Sequence, residues 1–359
     1  MEVVMVTRNM WAGGAERVIA ELVKYFNGKN IKCIIITIDE GPVSYKVPED
    51  VEIHAIGVIS ENKYLDKFLR YKALRNYMKK LKPDIVLSLP EDIGIYVIPS
   101  LLGLRIPVVV SERNNPWVMP WKKETRLLRK LFYPFASGII FQTEQAASFF
   151  SSEIRKKGVV LPNPLDINRI PKPLDGNRRK EIIGAGRLDK QKNFPLLIQS
   201  FAKFYEKYPE YVLTIYGEGA LREELEQLAA SLLPKGAYSF PGNTTELLEQ
   251  INGASIFVLS SDYEGMPNVV IEAMAMGIPV ISTDCPSGGP SELIQNGENG
   301  ILVPVGDIDS LTLAMSQIAE SDDLANKLGS NAQGIKKRLD SGIVAEKWRK
   351  YLESHTSDK

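Results

Sequence analysis

The sequence contains few of the residues that build disulfides, metal sites and histidine-dependent active sites. Its 359 residues include two cysteines, Cys33 and Cys285, and two histidines, His54 and His355. The cysteines lie far apart in apolar segments, so a disulfide framework is excluded and a reducing compartment is indicated. The histidines lie in a strand pattern and in a polar tail, where structural roles are favoured. Because no acidic cluster accompanies them, we expect no metal cofactor.

Long apolar runs and a dinucleotide fingerprint are also missing. No apolar stretch approaches the ~20 residues of a membrane span. The first residues, MEVVMVTR, lack a signal-peptide pattern and are typical of a strand. The first glycine-rich loop, MWAGGAE, lacks the GxGxxG spacing of a dinucleotide site, which disfavours a dehydrogenase. We therefore expect a protein that does not cross a membrane.

Strand and helix patterns alternate along both halves of the chain. They include strands at Glu2–Thr7 and Ala254–Leu259 and a helix from about Ile95 to Leu102, and no helix is predicted between the helix Glu144–Phe150 and the strand Gly158–Leu161. Its length exceeds one typical core, so two domains are expected. A stretch rich in proline, residues 162–179, interrupts the alternation. We predict an α/β protein of two tandem αβα domains: residues 1–165 with a returning C-terminal helix, 341–359, then a linker, 166–179, and a second domain, 180–340. Ligands of such sheets bind at the carboxyl ends of strands, so we expect a cleft where both ends meet.

The most informative stretch is SSDYEGMPNVVIEAMAMG, residues 260–277. It follows a buried strand pattern and predicts a turn, then a helix capped by Asn268. Such a helix start is a ready anion site, and Glu264 and Glu272 would flank it, one suited to sugar hydroxyls and the other to a ribose. Eight helical residues rise roughly 12 Å, beyond the ~5–9.5 Å of a glycosidase pair. A solvated loop glutamate with a capping glutamate is an equal alternative.

Two further loops have features of phosphate sites. Gly13 and Gly14 allow a close backbone approach at the start of the first helix. In GAGRLDKQKN, Arg187 and Lys192 precede a helix of the second half and could bind a diphosphate. A plain helix-start turn and two solvated cations are the alternatives.

Polar residues follow other predicted strands. The segment around Asn243 offers backbone groups that could face a base. The segment SERNNP, residues 111–116, ends a first-domain strand and contains Arg113 and Asn114, which we assign to acceptor binding. Polar side chains after a buried strand are expected to face the cleft.

Positive charge is concentrated in the first half. Residues 1–175 hold 26 Lys and Arg against 19 Asp and Glu, and residues 61–82 hold eight against two. This predicted helix carries Lys67, Arg70 and Arg75, which we assign to acceptor binding, and residues 117–130 add tryptophans and more cations. Basic and aromatic residues together suit an anionic membrane face or a lipid pyrophosphate. An amphipathic helix with a solvated basic face is the alternative, and no motif supports nucleic acid.

Four motifs together resemble glycosyltransferase family 4, the retaining enzymes of GT-B fold. They are GGAERV (13–18), GRLDKQKN (186–193), EGMPNVVIEAMAMGIPVI (264–281) and PSGGPSELI (286–294). Their order and spacing cover nearly the whole chain. SERNNP and PSGGP are most similar to the branch that extends lipid-linked oligosaccharides in bacterial surface-glycan or protein-glycosylation pathways.

The resemblance implies a role for each motif residue. Arg187 and Lys192 would neutralise the diphosphate of a UDP-sugar without a metal, and Glu272 would bind the ribose. Gly13 and Gly14 would approach the phosphates. Many family members have a histidine where this chain has Arg113, which cannot act as a base because it stays protonated. The residues expected to hold the donor sugar are Glu264, Gly265, Met266, Pro267, Asn268 and Val269, and those expected at the reacting centre are Glu264, Arg187, Lys192 and Arg113.

The resemblance implies a cytoplasmic enzyme, peripheral at the inner face of the cell membrane. It would move a hexose or N-acetylhexosamine from UDP to a polyprenyl-diphosphate-linked glycan. A nucleotide-sugar epimerase of the same fold and a non-catalytic nucleotide-sugar sensor are the alternatives.

Overall fold

A computed structural model describes residues 1–11, 13–174 and 176–356. The chain forms two compact units, Met1–Pro164 with Ser341–Lys359, and Leu165–Asp340. Residues 166–179, which we predicted as a linker, are grouped with the second unit. The last three residues of the predicted segment 341–359 lie outside the described residues.

The first unit contains a parallel seven-stranded sheet. Its strands are β1 Glu2–Thr7, β2 Lys32–Thr37, β3 Glu52–Ala55, β4 Ile85–Ser88, β5 Val108–Ser111, β6 Gly138–Phe141 and β7 Gly158–Val160. They are ordered β3-β2-β1-β4-β5-β6-β7, and Val6 of the central strand pairs with Ile36 on one side and Ser88 on the other. Because both faces are covered by helices, the central strands are continuous apolar runs rather than alternating ones.

Helices cover both faces of this sheet. They are α1 Gly14–Asn27, α2 Lys63–Leu81, α3 Glu91–Leu101, α4 Lys123–Phe132, α5 Glu144–Ser148, α6 Ser152–Lys156 and, from the end of the chain, α15 Ser341–Glu353. The helix α15 packs against α1 through Trp348, which is fully buried and whose Nε1 lies 3.5 Å from the carbonyl of Pro162. The sequence placed the start of α3 at Ile95, four residues late, and missed α6.

The second unit repeats the architecture with six parallel strands. They are β8 Arg179–Ala185, β9 Val212–Tyr216, β10 Tyr238–Gly242, β11 Ala254–Leu259, β12 Val280–Thr283 and β13 Ile301–Val303. Their order in the sheet is β10-β9-β8-β11-β12-β13. Its helices are α7 Phe194–Tyr205, α8 Arg222–Leu232, α9 Leu247–Ile251, α10 Asn268–Ala275, α11 Gly289–Leu293, α12 Ile308–Glu320, α13 Asp322–Ala332 and α14 Ile335–Arg338.

Each face of the second sheet has its own apolar core. One core joins α7, α8 and α12, and the other is built around α10, where Val270, Ile271 and Met274 are almost fully buried. Asn268 is the first residue of α10 and Pro267 holds the capping position, so the predicted Asn268 cap was wrong by one residue. The predicted α/β class with parallel sheets is confirmed.

Candidate functional site

The second unit assembles its polar residues at the carboxyl ends of two neighbouring strands. Strands β8 and β11 pair directly, so the loops that leave them lie side by side. The β8 loop, residues 186–193, contains a short 3-10 turn, Lys190–Lys192, that the Asp189 side chain caps. The β11 loop, residues 260–267, is called the Glu264 turn below and leads into α10.

The two loops are joined by an ion pair between Lys192 and Glu264. Lys192 Nζ lies 2.6 Å from Glu264 Oε1, and the side chains are only 14% and 8% exposed. Ser261 Oγ donates to the same carboxylate oxygen at 2.7 Å, and Gln191 Nε2 lies 3.4 Å from the other. An ammonium has three N–H donors. Glu264 therefore fixes the position of Lys192 while the ammonium keeps donors that can reach an oxyanion.

Further contacts hold the backbone of both loops. Asn193 Nδ2 donates to Asp262 Oδ1 at 2.7 Å, and Ser260 Oγ donates to the Lys192 carbonyl at 2.9 Å. The Gln191 carbonyl accepts from the Asp262 N–H at 2.9 Å. The ion pair is thus set by backbone positions on rigid strand ends, as a preorganised electrostatic site requires.

A third loop, residues 284–288 after β12, packs against the Glu264 turn. Ser287 Oγ donates to the Glu264 carbonyl at 3.0 Å. The approach at Gly289 is so close that an added Cβ would lie 1.5 Å from the carbonyl oxygen of Gly265, so only glycine fits there. Burial, with the nearby Glu264 charge, raises the pKa of the Cys285 thiol to about 12, so this thiol stays protonated at neutral pH.

The other predicted donor residues are distributed around this centre. Glu272 is 4% exposed and lies in the second turn of α10. Arg187 is on the β8 loop, with its side chain 73% exposed and its Nη2 3.5 Å from Asp189 Oδ2. Asn243 is exposed just after β10. In the Glu264 turn and α10, Gly265, Met266 and Pro267 are buried, and Asn268 and Val269 are half-buried.

In the first unit, the predicted residues lie at the carboxyl edge of its own sheet. Gly13 caps α1 in an extended conformation without a side-chain cap, and Gly14 begins the helix. Arg113 lies two residues beyond β5, where its Nη2 donates to Asn163 Oδ1 and its Cζ lies 5.8 Å from the centre of the Trp348 ring. Asn114 accepts from the Asn115 N–H at 2.8 Å through its Oδ1.

A buried acidic cluster that the sequence did not reveal lies behind Arg113. Glu91, which begins α3, is 3% exposed, and its Oε2 accepts from the Arg113 N–H at 3.3 Å. Burial, aided by the charge of Glu112, raises the pKa of Glu91 to about 8. Glu112 lies 3.3 Å from Arg129 Nη1 and accepts from the Tyr133 hydroxyl. Glu91 lies just after the buried strand β4, as Glu112 and Arg113 lie just after β5. This position in the sequence is the feature that could have identified Glu91 as a candidate site residue.

The basic segments divide into structural and exposed cations. Arg70 lies 2.7 Å from both Asp39 and Asp66, and Arg75 Nη1 donates to the carbonyls of Ser100 and Leu102. These two arginines, assigned to acceptor binding above, are tied to partners of their own unit. Arg129 is buried, so it does not belong to a basic surface. Lys67 is exposed.

Large apolar side chains are exposed beside the remaining cations. On and before the first turns of α2 they include Tyr64, at 90% exposure, and Phe68, at 64%. On and around α4 they include Trp121, at 61%, and Leu127, at 68%. Exposed apolar patches of this kind mark interaction surfaces. Among the described residues no helix is long and apolar enough to span a bilayer, and no group of three or more metal-ligating side chains occurs.

The sequence did not indicate several residues that hold the Lys192–Glu264 pair in place. Gln191 and Ser261 contact the Glu264 carboxylate, and Ser287 holds its backbone. All three lie inside or beside the quoted motifs, but their polar side chains gave no signal of which neighbour they would contact.

Two family models match the chain. Residues 166–334 match the model of glycosyl transferases group 1, and residues 12–169 match that of glycosyltransferase family 4.

Two Campylobacter jejuni enzymes are similar over nearly their full length. The chain is 30% identical to N-acetylgalactosamine-N,N'-diacetylbacillosaminyl-diphospho-undecaprenol 4-alpha-N-acetylgalactosaminyltransferase, over 96% of this chain and 97% of the relative. It is 26% identical to GalNAc-alpha-(1->4)-GalNAc-alpha-(1->3)-diNAcBac-PP-undecaprenol alpha-1,4-N-acetyl-D-galactosaminyltransferase, over 98% of both. The crystal structure of Anabaena Alr3699/HepE in complex with UDP and glucose matches with a TM-score of 0.85, covering 99% of this chain and 100% of that one at 17% identity. This structural similarity, at low sequence identity, shows that the two proteins share a fold.

Proposed function

The chain belongs to glycosyltransferase family 4, with the GT-B fold of two Rossmann-like units, and we propose that it is a retaining enzyme with a UDP-sugar donor. A hexose or N-acetylhexosamine would pass from UDP to a polyprenyl-diphosphate-linked glycan. The Campylobacter relatives, named for undecaprenol-linked substrates, and the Anabaena structure with bound UDP support these choices of acceptor and donor.

The Lys192–Glu264 pair is the observation that carries the proposal. A leaving UDP gains negative charge on its diphosphate, and a fixed ammonium beside it lowers the barrier most when it is already held in place. Glu264 and Ser261 supply that fixation. Arg187, on the same loop, can add a second cation, so we propose that the reaction needs no metal ion.

The carboxylates have separate tasks in this scheme. Glu272 accepts hydroxyl protons of the ribose, and Glu264, at the turn before α10, accepts a hydroxyl of the transferred sugar while it holds Lys192. The bond between the sugar C1 and the phosphate oxygen breaks, and C1 bonds to the acceptor hydroxyl oxygen on the same face. The acceptor proton passes to the departing phosphate. Arg113 stays protonated and takes no proton in this step.

We propose that the first unit contacts an anionic membrane at the inner face of the cell membrane. The exposed aromatic and aliphatic side chains around α2 and α4 lie beside exposed lysines, the combination that binds an acidic lipid surface. Lys67, which we predicted to bind the acceptor, is exposed and can reach a lipid diphosphate at this surface.

Calorimetric titration with UDP, followed by a transfer assay, tests the proposal. Wild type should bind UDP in EDTA and transfer sugar to an undecaprenyl-diphosphate-linked glycan. Glu272→Gln should weaken UDP binding at least tenfold, whereas Glu249→Gln, an exposed glutamate of α9, should leave it unchanged. Free epimerised sugar nucleotide, or tight UDP binding without any transfer, would favour the epimerase or the sensor instead.

A further inference from the structure

One guanidinium of the first unit has donors that the protein does not use. Arg113 Nη2 donates to Asn163 Oδ1, and Arg113 Cζ lies 5.8 Å from the centre of the ring of Trp348, which is fully buried. The Nε and Nη1 atoms are buried and have no hydrogen-bond partner within the described part of the chain. Buried donors without partners are rare and costly in proteins, and more so when they belong to a charged group.

The charge of Arg113 is also left without a carboxylate partner. Glu91 contacts the backbone N–H of Arg113, and burial raises its pKa to about 8, so Glu91 is mainly neutral at pH 7. The Glu112 carboxylate already accepts hydrogen bonds from Arg129 and from the Tyr133 hydroxyl. Among the residues that the structure describes, no ion pair with Arg113 occurs. Burial lowers the pKa of Arg113 to about 10, which still leaves it protonated at neutral pH.

Among the described residues, two hydroxyl groups without partners and a helix start lie near Arg113. Thr7 Oγ1 and Ser111 Oγ are buried without partners, and these residues end β1 and β5 on the sheet face that packs against α1 and α15. The first turn of α1 is close enough for Glu16 to raise the pKa of Arg113. This turn is the positive end of a 14-residue helix. Two hydroxyls, a helix start and a cation therefore lie at one edge of the sheet.

We propose that Arg113 binds an oxyanion of a substrate, either the carboxylate of an acidic sugar or a phosphate, at the carboxyl edge of the first sheet. This inference rests on the proposed function, because it names the chemical class of a group that the transferase recognises. A guanidinium matches a planar or tetrahedral oxyanion with paired donors, whereas a lysine supplies a point charge. A neutral sugar hydroxyl would use one donor and leave the charge unpaired.

Titration of the full chain with inorganic pyrophosphate, with glucuronate and with glucose tests the proposal. Trp348 lies against Arg113, so tryptophan emission follows occupancy. We expect saturable binding of at least one anion and none of glucose. Binding of glucuronate alone assigns an acidic sugar, and binding of pyrophosphate alone assigns a phosphate.

Three variants complete the test. Arg113→Gln should weaken anion binding at least tenfold and Arg113→Lys should weaken it less. Arg155→Gln, an exposed arginine of α6 in the same unit, should match wild type. If Arg113→Gln does not fold, the lysine variant, which keeps the charge, still reports the loss of paired donors. Anion binding that is equal in all three variants, or absent from wild type, would overturn the proposal.

The absence of an oxyanion site at Arg113 and the absence of a UDP site at Glu272 would give different results. A wild-type protein that binds anions through Arg113 but does not bind UDP refutes the donor site and leaves the oxyanion site. A protein that binds UDP through Glu272 but shows no Arg113-dependent anion binding does the opposite.

Discussion

Replacing Lys192 with methionine should destabilise the second unit, because it leaves the Glu264 carboxylate buried without its counter-ion. Removing one partner of a buried pair costs about 3–5 kcal/mol. Ser261 and Gln191 still contact the carboxylate and Lys192 is 14% exposed, so we expect a cost near the lower limit, about 3 kcal/mol. Glu264→Gln should cost about 2 kcal/mol, since it weakens a charge-assisted bond. The double variant should lose less than the sum, with a coupling of about 1–2 kcal/mol.

Urea denaturation with two probes measures this cycle. The four tryptophans all lie in the first unit, so their emission reports that unit, while far-ultraviolet circular dichroism reports both. The variants should change the dichroism transition and leave the emission transition in place. Lys190→Met, an exposed lysine of the same loop, is the matched control and should cost less than about 0.5 kcal/mol. Strictly additive costs for Lys192→Met and Glu264→Gln would show that the two side chains are not coupled.

Three further predictions concern other parts of the molecule. Gly289→Ala should distort the Glu264 turn and abolish transfer, whereas Gly334→Ala, where an added Cβ is 3.3 Å from its nearest neighbour, should keep activity; equal activity of the two would contradict the steric argument. Glu91 has a pKa of about 8 in the folded protein, against the ordinary glutamate value of 4.5, so the folded state holds the proton more tightly, and stability of the first unit should fall between pH 4.5 and 8 by at most roughly 1.4 kcal/mol per pH unit. Glu91→Gln should remove that slope in tryptophan-monitored unfolding, and an unchanged slope would assign it to other groups. Wild type should sediment with phosphatidylglycerol vesicles and be released by salt, and a Trp121→Ser, Leu127→Ser double variant should stay in the supernatant; equal sedimentation of the two would rule out this surface.

Local patterns of apolar and polar residues were enough to predict most of the strands and helices. The buried strands are apolar runs with little ambiguity, and β1 and β11 begin and end where the sequence indicated. Helix starts were less certain, because Pro267 rather than Asn268 caps α10 and the apolar pattern of α3 hid its acidic first turn. Periodicity reports burial, and it does not report which polar group ends a helix.

The candidate site could be predicted only as a set of separate residues. Sequence spacing identified Lys192 and Glu264 but assigned them to different ligand groups, because no pattern shows that loops after β8 and β11 meet. The partners of Arg70 and Arg75 were equally hidden, since they lie on other elements of the first unit. Tertiary pairing decides whether a cation is exposed or structural.

A crystal structure with UDP bound is the decisive test of the proposed donor site. We expect the diphosphate to lie within hydrogen-bond distance of Lys192 and Arg187, the ribose hydroxyls to contact Glu272, and no metal ion to bridge the phosphates. UDP bound away from these three residues, or a metal ion between its phosphates and the protein, would rule out this site.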